Sequence, residues 1–142
     1  MAEIVTLREK NGRELAEMLE NAQEEMFNLR FQKASARLAD TSRLKKVRRD
    51  VAQIRTVLHD RQRAISAAAM IEEIAALLGS QEWNAEARFE YEETAWLVTF
   101  TDASGKDLAS AAVDLNRKQS RSRRDRQEVG TAGVVKSYEI TG

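Results

Sequence analysis

Cysteine and proline are both missing from the 142 residues, and histidine occurs once, at His59. Without cysteine there can be no disulfide and no thiolate metal site. One histidine cannot build an imidazole cluster, and no carboxylate spacing matches a calcium loop, so neither a metal nor a cofactor is expected. No apolar run approaches bilayer length, and the opening Met1-Ala2-Glu3-Ile4-Val5 lacks the basic-then-apolar pattern of a secretory signal. The expectation is a soluble intracellular protein with no membrane partner. Lack of proline removes the strongest helix breaker, which suits long helices and leaves the loops to Gly, Ser, Asp and Asn.

Net charge is absent only in sum. The chain has 23 basic and 23 acidic residues, yet residues 30–63 hold eleven Lys/Arg against three acids, a local balance of +8. Residues 72–93 hold seven acids against Arg88 alone. A phosphate backbone responds to the local field, so the neutral total does not exclude nucleic acid.

From Asn11 the apolar positions Leu15, Leu19, Ala22, Met26 and Leu29 recur at spacings of four and three, a seam on one helical face. Glu14, Glu17, Glu20, Glu24 and Glu25 lie between them and suit the positive end of the helix. A second seam runs through Leu44, Val47, Val51, Ile54 and Leu58, with Thr41 or Ser42 placed to start it. The link from Ser35 to Ser42 is too short for a parallel return. An antiparallel two-helix hairpin, seam to seam, is therefore expected. Its core would be thin, two stripes with no third layer, and would lean on a larger body for full order.

The charges indicate that body. Arg30, Lys33, Arg37, Arg43, Lys45, Lys46, Arg48, Arg49 and Arg55 gather at the hairpin tip and along the second helix. Positions 45, 48, 49, 52 and 55 share one face beside the apolar seam. Salt bridges to the glutamates of the first helix would explain such a strip without any partner. Arginine, always charged and able to grip phosphate with two bonds, favours RNA. Phe27 and Phe31 lie off the seam, at i and i+4, where packing, a protein neighbour or a base are all open readings.

Two runs, Glu25-Met26-Phe27-Asn28-Leu29-Arg30-Phe31-Gln32 and Leu44-Lys45-Lys46-Val47-Arg48-Arg49-Asp50-Val51-Ala52-Gln53-Ile54-Arg55-Thr56-Val57-Leu58, occur in order and at a set separation. Together with Leu7-Arg8-Glu9-Lys10 and Glu14-Leu15, this pattern resembles the bacterial family of large-subunit ribosomal protein twenty-nine, over roughly residues 4–63. The resemblance implies a cytoplasmic, ribosome-bound helical hairpin, a structural protein and not an enzyme. It would pack on large-subunit rRNA near the polypeptide tunnel exit, beside ribosomal protein twenty-three. Factors that meet the nascent chain would find a docking surface there. The RNA contacts implied are Arg30, Lys45, Lys46, Arg48 and Arg49 from the matched motifs, with Lys33, Ser35 and Arg37 at the tip. Where many members carry Gly followed by Gln, this chain carries Ala36-Arg37, and Asp40 replaces a common polar amide.

The remainder reads as an extension, so the division expected is 1–65 for the RNA-binding hairpin and 66–142 for a small α+β region. Ala64 to Leu78 has strong helical character, either continuing the second helix or breaking from it near Ser66, with Gly79 as its stop. Ala87–Tyr91 and Trp96–Phe100 alternate as strands. Asp102-Ala103-Ser104-Gly105-Lys106 reads as a hairpin turn with Gly105 at positive φ, returning the chain through Leu108–Leu115. A three-stranded antiparallel meander follows, with a fourth strand at Val134–Ile140 as an option. Between them the loop 117–126 carries Arg117, Lys118, Arg121, Arg123, Arg124 and Arg126 among serines, without apolar period. It is read as a second rRNA contact, with a solvated linker as the alternative.

Two other classes compete. A coiled-coil adaptor, its C-terminal domain binding a protein partner, would use the same seams. An enzyme would need Glu90, Glu92, Glu93 or Asp102 as paired carboxylates, but no nucleophile–base pair and no phosphate-binding glycine loop accompanies them.

Overall fold

The structure is a computed structural model and describes residues 3–116 and 134–141, together with Arg124. Its contacts divide the chain into two compact units, Met1–His59 and Asp60–Gly142. The boundary falls inside one helix.

The first unit opens with the short helix α1 (Ile4–Glu9), whose Leu7 is fully buried. Helix α2 (Gly12–Ala34) begins at Asn11, whose side chain accepts from the Glu14 N–H at 2.8 Å while Asn11 N–H donates to Glu14 Oε2 at 3.0 Å. This reciprocal box satisfies two donors that a helix start leaves orphaned. Helix α3 (Ser42–Ala69) then runs without a break. Leu29 of α2 and Leu44, Val47 and Val51 of α3 form one buried cluster, with Leu19, Ala22, Met26 and Leu38 packed against it. The two seams therefore face each other, and the hairpin stands. One position differs from the heptad expectation, because Val57 is buried and Leu58 only half-buried.

The link between α2 and α3 is built on Ala36, whose φ is +55°. Arg37 N–H reaches Gln32 O at 2.9 Å and Ala36 N–H reaches Lys33 O at 3.1 Å. Those two bonds are the Schellman pattern of a helix C-terminus, which usually places glycine at the left-handed residue. The turn keeps its geometry here with an alanine in that place. At the entry of α3 the side-chain acceptor is Asp40, which takes the Ser42 N–H at 3.0 Å and the Ser42 hydroxyl at 2.6 Å. The Ser42 hydroxyl, the largest influence, holds the Asp40 carboxyl below its ordinary value.

In the second unit the helical run expected over 64–78 is divided. α3 continues to Ala69 and a separate helix α4 occupies Glu72–Leu78, so the break lies at Met70-Ile71 and not near Ser66. Gly79 ends α4 at φ −68°, an ordinary right-handed value, so its place does not depend on left-handed freedom. Four strands follow: β1 (Trp83–Glu90), β2 (Ala95–Asp102), β3 (Asp107–Val113) and β4 (Val135–Ile140). They form one antiparallel sheet in the order β1-β2-β3-β4. Strand β1 starts four residues before the alternation at Ala87 suggested, because Trp83 pairs with Asp102 and its ring meets Phe100 edge-on at 5.6 Å.

Cross-strand rows such as Ala87–Val98–Ala111–Tyr138 and Ala85–Phe100–Ala109–Ile140 hold most of the buried side chains, as pleating at period two requires. The β2–β3 turn uses Gly105 at φ +89°. Asp102 Oδ1 gathers the Ser104 hydroxyl at 2.6 Å and the N–H groups of Ser104 and Lys106, each at 2.9 Å. The Asp102 carboxyl is accordingly depressed, the Ser104 hydroxyl being the main cause. At the far end, Asp114 N–H donates to Val134 O at 2.8 Å, closing the chain between β3 and β4 at its base. The fold class is an antiparallel helical hairpin followed by a small α+β region with a four-stranded meander.

Candidate nucleic-acid interface

Helix α3 separates its apolar and basic residues by period alone. Leu44, Val47, Val51 and Ile54 are buried, while Lys45, Arg48, Arg49, Ala52 and Arg55 on the other side are exposed. Lys46 and Arg43 flank the strip and are exposed as well. At the end of α2 and in the turn, Arg30, Lys33, Ser35 and Arg37 are all exposed. The first unit thus carries ten of the candidate residues at its surface. They follow one another from the last turn of α2, around the left-handed turn, and along the solvent side of α3.

Pairing with the glutamates of α2 was the explanation that needed no partner. It accounts for one cation. Arg43 Nη2 lies 3.5 Å from Glu25 Oε1. Among the described residues, Arg30, Lys33, Arg37, Lys45, Lys46, Arg48, Arg49 and Arg55 make no ion pair. Eight exposed cations without an ion pair among the described residues, gathered at the turn and along α3, repel each other and raise the local potential. A polyanion relieves both effects, and an isolated surface pair such as Arg43–Glu25 would contribute at most about 1 kcal/mol.

The strip also has an end. Arg63 pairs with Asp60 at 3.5 Å. Arg61 is half-buried, and that burial lowers its guanidinium below the ordinary value while the Glu86 carboxylate opposes the shift. Neither is a free surface charge, although both counted towards the basic balance of residues 30–63.

Arg117, Lys118, Arg121, Arg123 and Arg126 of the expected second contact lie outside the described residues. Arg124 is described and exposed. The acidic stretch is surface at Glu72, Glu73, Glu82, Glu86, Glu92 and Glu93, and Glu73 meets Tyr138, holding its phenol above the ordinary value. Among the described residues no group of three His, Asp or Glu could hold a metal ion. No helix of the described residues is long and apolar enough to cross a membrane.

Sequence reasoning left Phe27 and Phe31 unassigned. Both are on the surface, 69% and 66% exposed, and neither takes part in the hairpin core. Their offset from the Leu15–Leu29 seam was the available signal.

Known proteins show where the hairpin belongs. The model of the family described as Ribosomal L29 protein matches residues 6–61. Large ribosomal subunit protein uL29 of Natranaerobius thermophilus is 45% identical over 60 residues, which span 92% of that protein and 42% of this chain. The uL29 of Corynebacterium jeikeium is 50% identical over 60 residues, 78% of its length and 42% of this chain. The uL29 of Frankia alni is 48% identical over 60 residues, 67% of its length and again 42% of this chain. The match covers the hairpin unit and ends before α4 and the sheet.

Proposed function

The chain belongs to the uL29 family of large ribosomal subunit proteins, and from that premise we propose that its basic strip binds large-subunit rRNA. The role that comes with the family is structural: a component of the ribosome's large subunit, working in translation as part of a ribonucleoprotein. The family is not one of enzymes, and no reaction is assigned to this chain.

The observation that carries the RNA reading is the set of eight exposed cations, from Arg30 to Arg55, that make no ion pair among the described residues, within the segment that the family model matches. Arg48 and Arg49, with Arg55 one to two turns on, offer guanidinium forks along a single helical face. Lys45 and Lys46 add point charges, and Ser35 at the turn adds a hydroxyl. Arg43, already beside Glu25, contributes less. Residues 1–65 are the RNA-binding hairpin in this reading and residues 66–142 an added region. The Arg-Ser run 117–126 is proposed as a second rRNA contact on its composition.

The position proposed is the surface around the polypeptide tunnel exit, beside ribosomal protein twenty-three, where factors meeting the nascent chain also dock. Resemblance supports this placement. Sedimentation tests the reading. A ribosomal constituent stays with large subunits through a high-salt wash at one copy per subunit, whereas a coiled-coil adaptor is removed by that wash.

A further inference from the structure

Asn11 is followed by Gly12, and this is the one Asn-Gly pair in the chain. The other asparagines precede Ala22, Leu29, Ala85 and Arg117, each of which carries a side chain. An asparagine closes into a cyclic imide when the nitrogen of the next residue attacks its side-chain carbonyl carbon. A Cβ on that next residue crowds the attacking nitrogen, and glycine has none. Asn11 and Gly12 are both exposed, and nothing lies within 4 Å of the place a Cβ on Gly12 would take. The Gly12 N–H makes no hydrogen bond among the described residues. Base in the solvent can therefore reach it.

The cap decides whether the reaction runs. Ring closure needs the Asn11 side chain and the Gly12 nitrogen nearly eclipsed about the Cα–C bond, and a ψ of 167° holds them staggered. The Glu14 N–H also holds the side-chain oxygen at 2.8 Å, while Glu14 Oε2 holds the Asn11 N–H at 3.0 Å. To react, Asn11 must turn about ψ and give up both bonds. Such local opening at a helix start is far easier than global unfolding, and the rate follows the open population. We propose that Asn11-Gly12 is a site of spontaneous deamidation that the capping box holds shut, so that it is modified in chains whose α2 start has opened.

The step balances with water as its one co-reactant. The Gly12 nitrogen gives up its proton and bonds to Asn11 Cγ, the Cγ–Nδ2 bond breaks, and the amide leaves as ammonia. Water then opens one of the two C–N bonds of the imide. Opening at Cγ gives aspartate, which keeps an acceptor for the Glu14 N–H. Opening at the backbone carbonyl gives isoaspartate, whose main chain runs through the former side chain and is one carbon longer. That extra carbon moves the cap out of register with Glu14 and removes the box. None of this depends on whether the hairpin binds RNA.

The experiment incubates the full-length chain at mildly alkaline pH, in buffer and in guanidinium chloride. Peptide mapping by mass and retention reads asparagine, aspartate and isoaspartate at position 11. In denaturant, position 11 is expected to convert many times faster than the other four asparagines, with isoaspartate among the products. In buffer it should convert many times more slowly than in denaturant. Glu14→Ala is expected to raise the rate in buffer several-fold and leave the rate in denaturant little changed. Glu14→Gln, which can keep the reciprocal bond, should stay near the unsubstituted rate. Gly12→Ala, for which the structure has room, should suppress the reaction in both conditions. Equal rates for the unsubstituted chain in buffer and denaturant would overturn the proposal, and so would a folded Glu14→Ala chain that reacts no faster in buffer. If Glu14→Ala does not fold, the ratio of buffer to denaturant rates in the unsubstituted chain decides alone. No preference for position 11 over the other asparagines in denaturant would show that Asn11-Gly12 is not the site.

Discussion

Arg37 donates its backbone N–H to the carbonyl of Gln32 at 2.9 Å, across an Ala36 held at φ +55°. An L-residue with a Cβ carries a penalty of roughly 1–2 kcal/mol in the left-handed region, which glycine avoids at the expense of greater chain entropy when unfolded. Ala36→Gly should therefore stabilise the protein by about 1 kcal/mol, seen as a higher urea midpoint with an unchanged slope. A lower midpoint would mean that the turn is not the Schellman turn described.

The capping box gives the opposite sign. Asn11→Ala removes the acceptor of the Glu14 N–H and also unseats the Glu14 carboxylate from the Asn11 N–H. A loss of about 1 kcal/mol is expected, with Asn11→Asp close to neutral. Equal unfolding midpoints for Asn11→Ala and the unsubstituted chain would contradict the box.

What could be read in the sequence was what repeats. Leu15, Leu29, Leu44, Val47 and Val51 declare their burial through spacing, and the strip of Lys45, Arg48, Arg49 and Arg55 follows from the same period. Non-periodic features were hidden. Helix α1 is only six residues long, too short to show a period, so burial of Leu7 was not expected. The break at Met70-Ile71 sits in an alanine-rich run with no glycine or proline to mark it. The start of β1 at Trp83 depends on a partner strand nearly twenty residues away. Whether the cations were paired was also beyond the sequence, because Arg43 reaches Glu25 through the hairpin and its neighbours do not.

That difference in pairing separates the arginines. Removing Lys45, Arg48 or Arg49 by substitution with Ala should each weaken binding of the full-length chain to large-subunit rRNA. Each should also lower the slope of log affinity against log salt by about 0.7 to 0.9 for every phosphate that is no longer neutralised. Arg43→Ala should change the slope least, since its charge is already shared with Glu25. An affinity that hardly varies with salt would count against phosphate binding altogether.

The Asp102 turn predicts an acid-sensitive contribution in the second unit. The folded carboxyl is depressed, chiefly by the Ser104 hydroxyl, so its stabilising effect is fully present above the ordinary unfolded carboxylate value. It is lost as pH falls through the folded value. Comparing Asp102→Asn with the unsubstituted chain by urea unfolding, the gap should be open at neutral pH and close in strong acid. A gap that persists unchanged in acid would show that the charge of Asp102 is not what organises the turn.

The most direct test of RNA binding through α3 is a density map of the intact large subunit that contains this chain. The solvent side of α3 is expected to lie against rRNA, with Lys45, Arg48, Arg49 and Arg55 at hydrogen-bonding distance from phosphate oxygens. A map in which that side of α3 faces open solvent or another protein, while the chain is fully present, would contradict it.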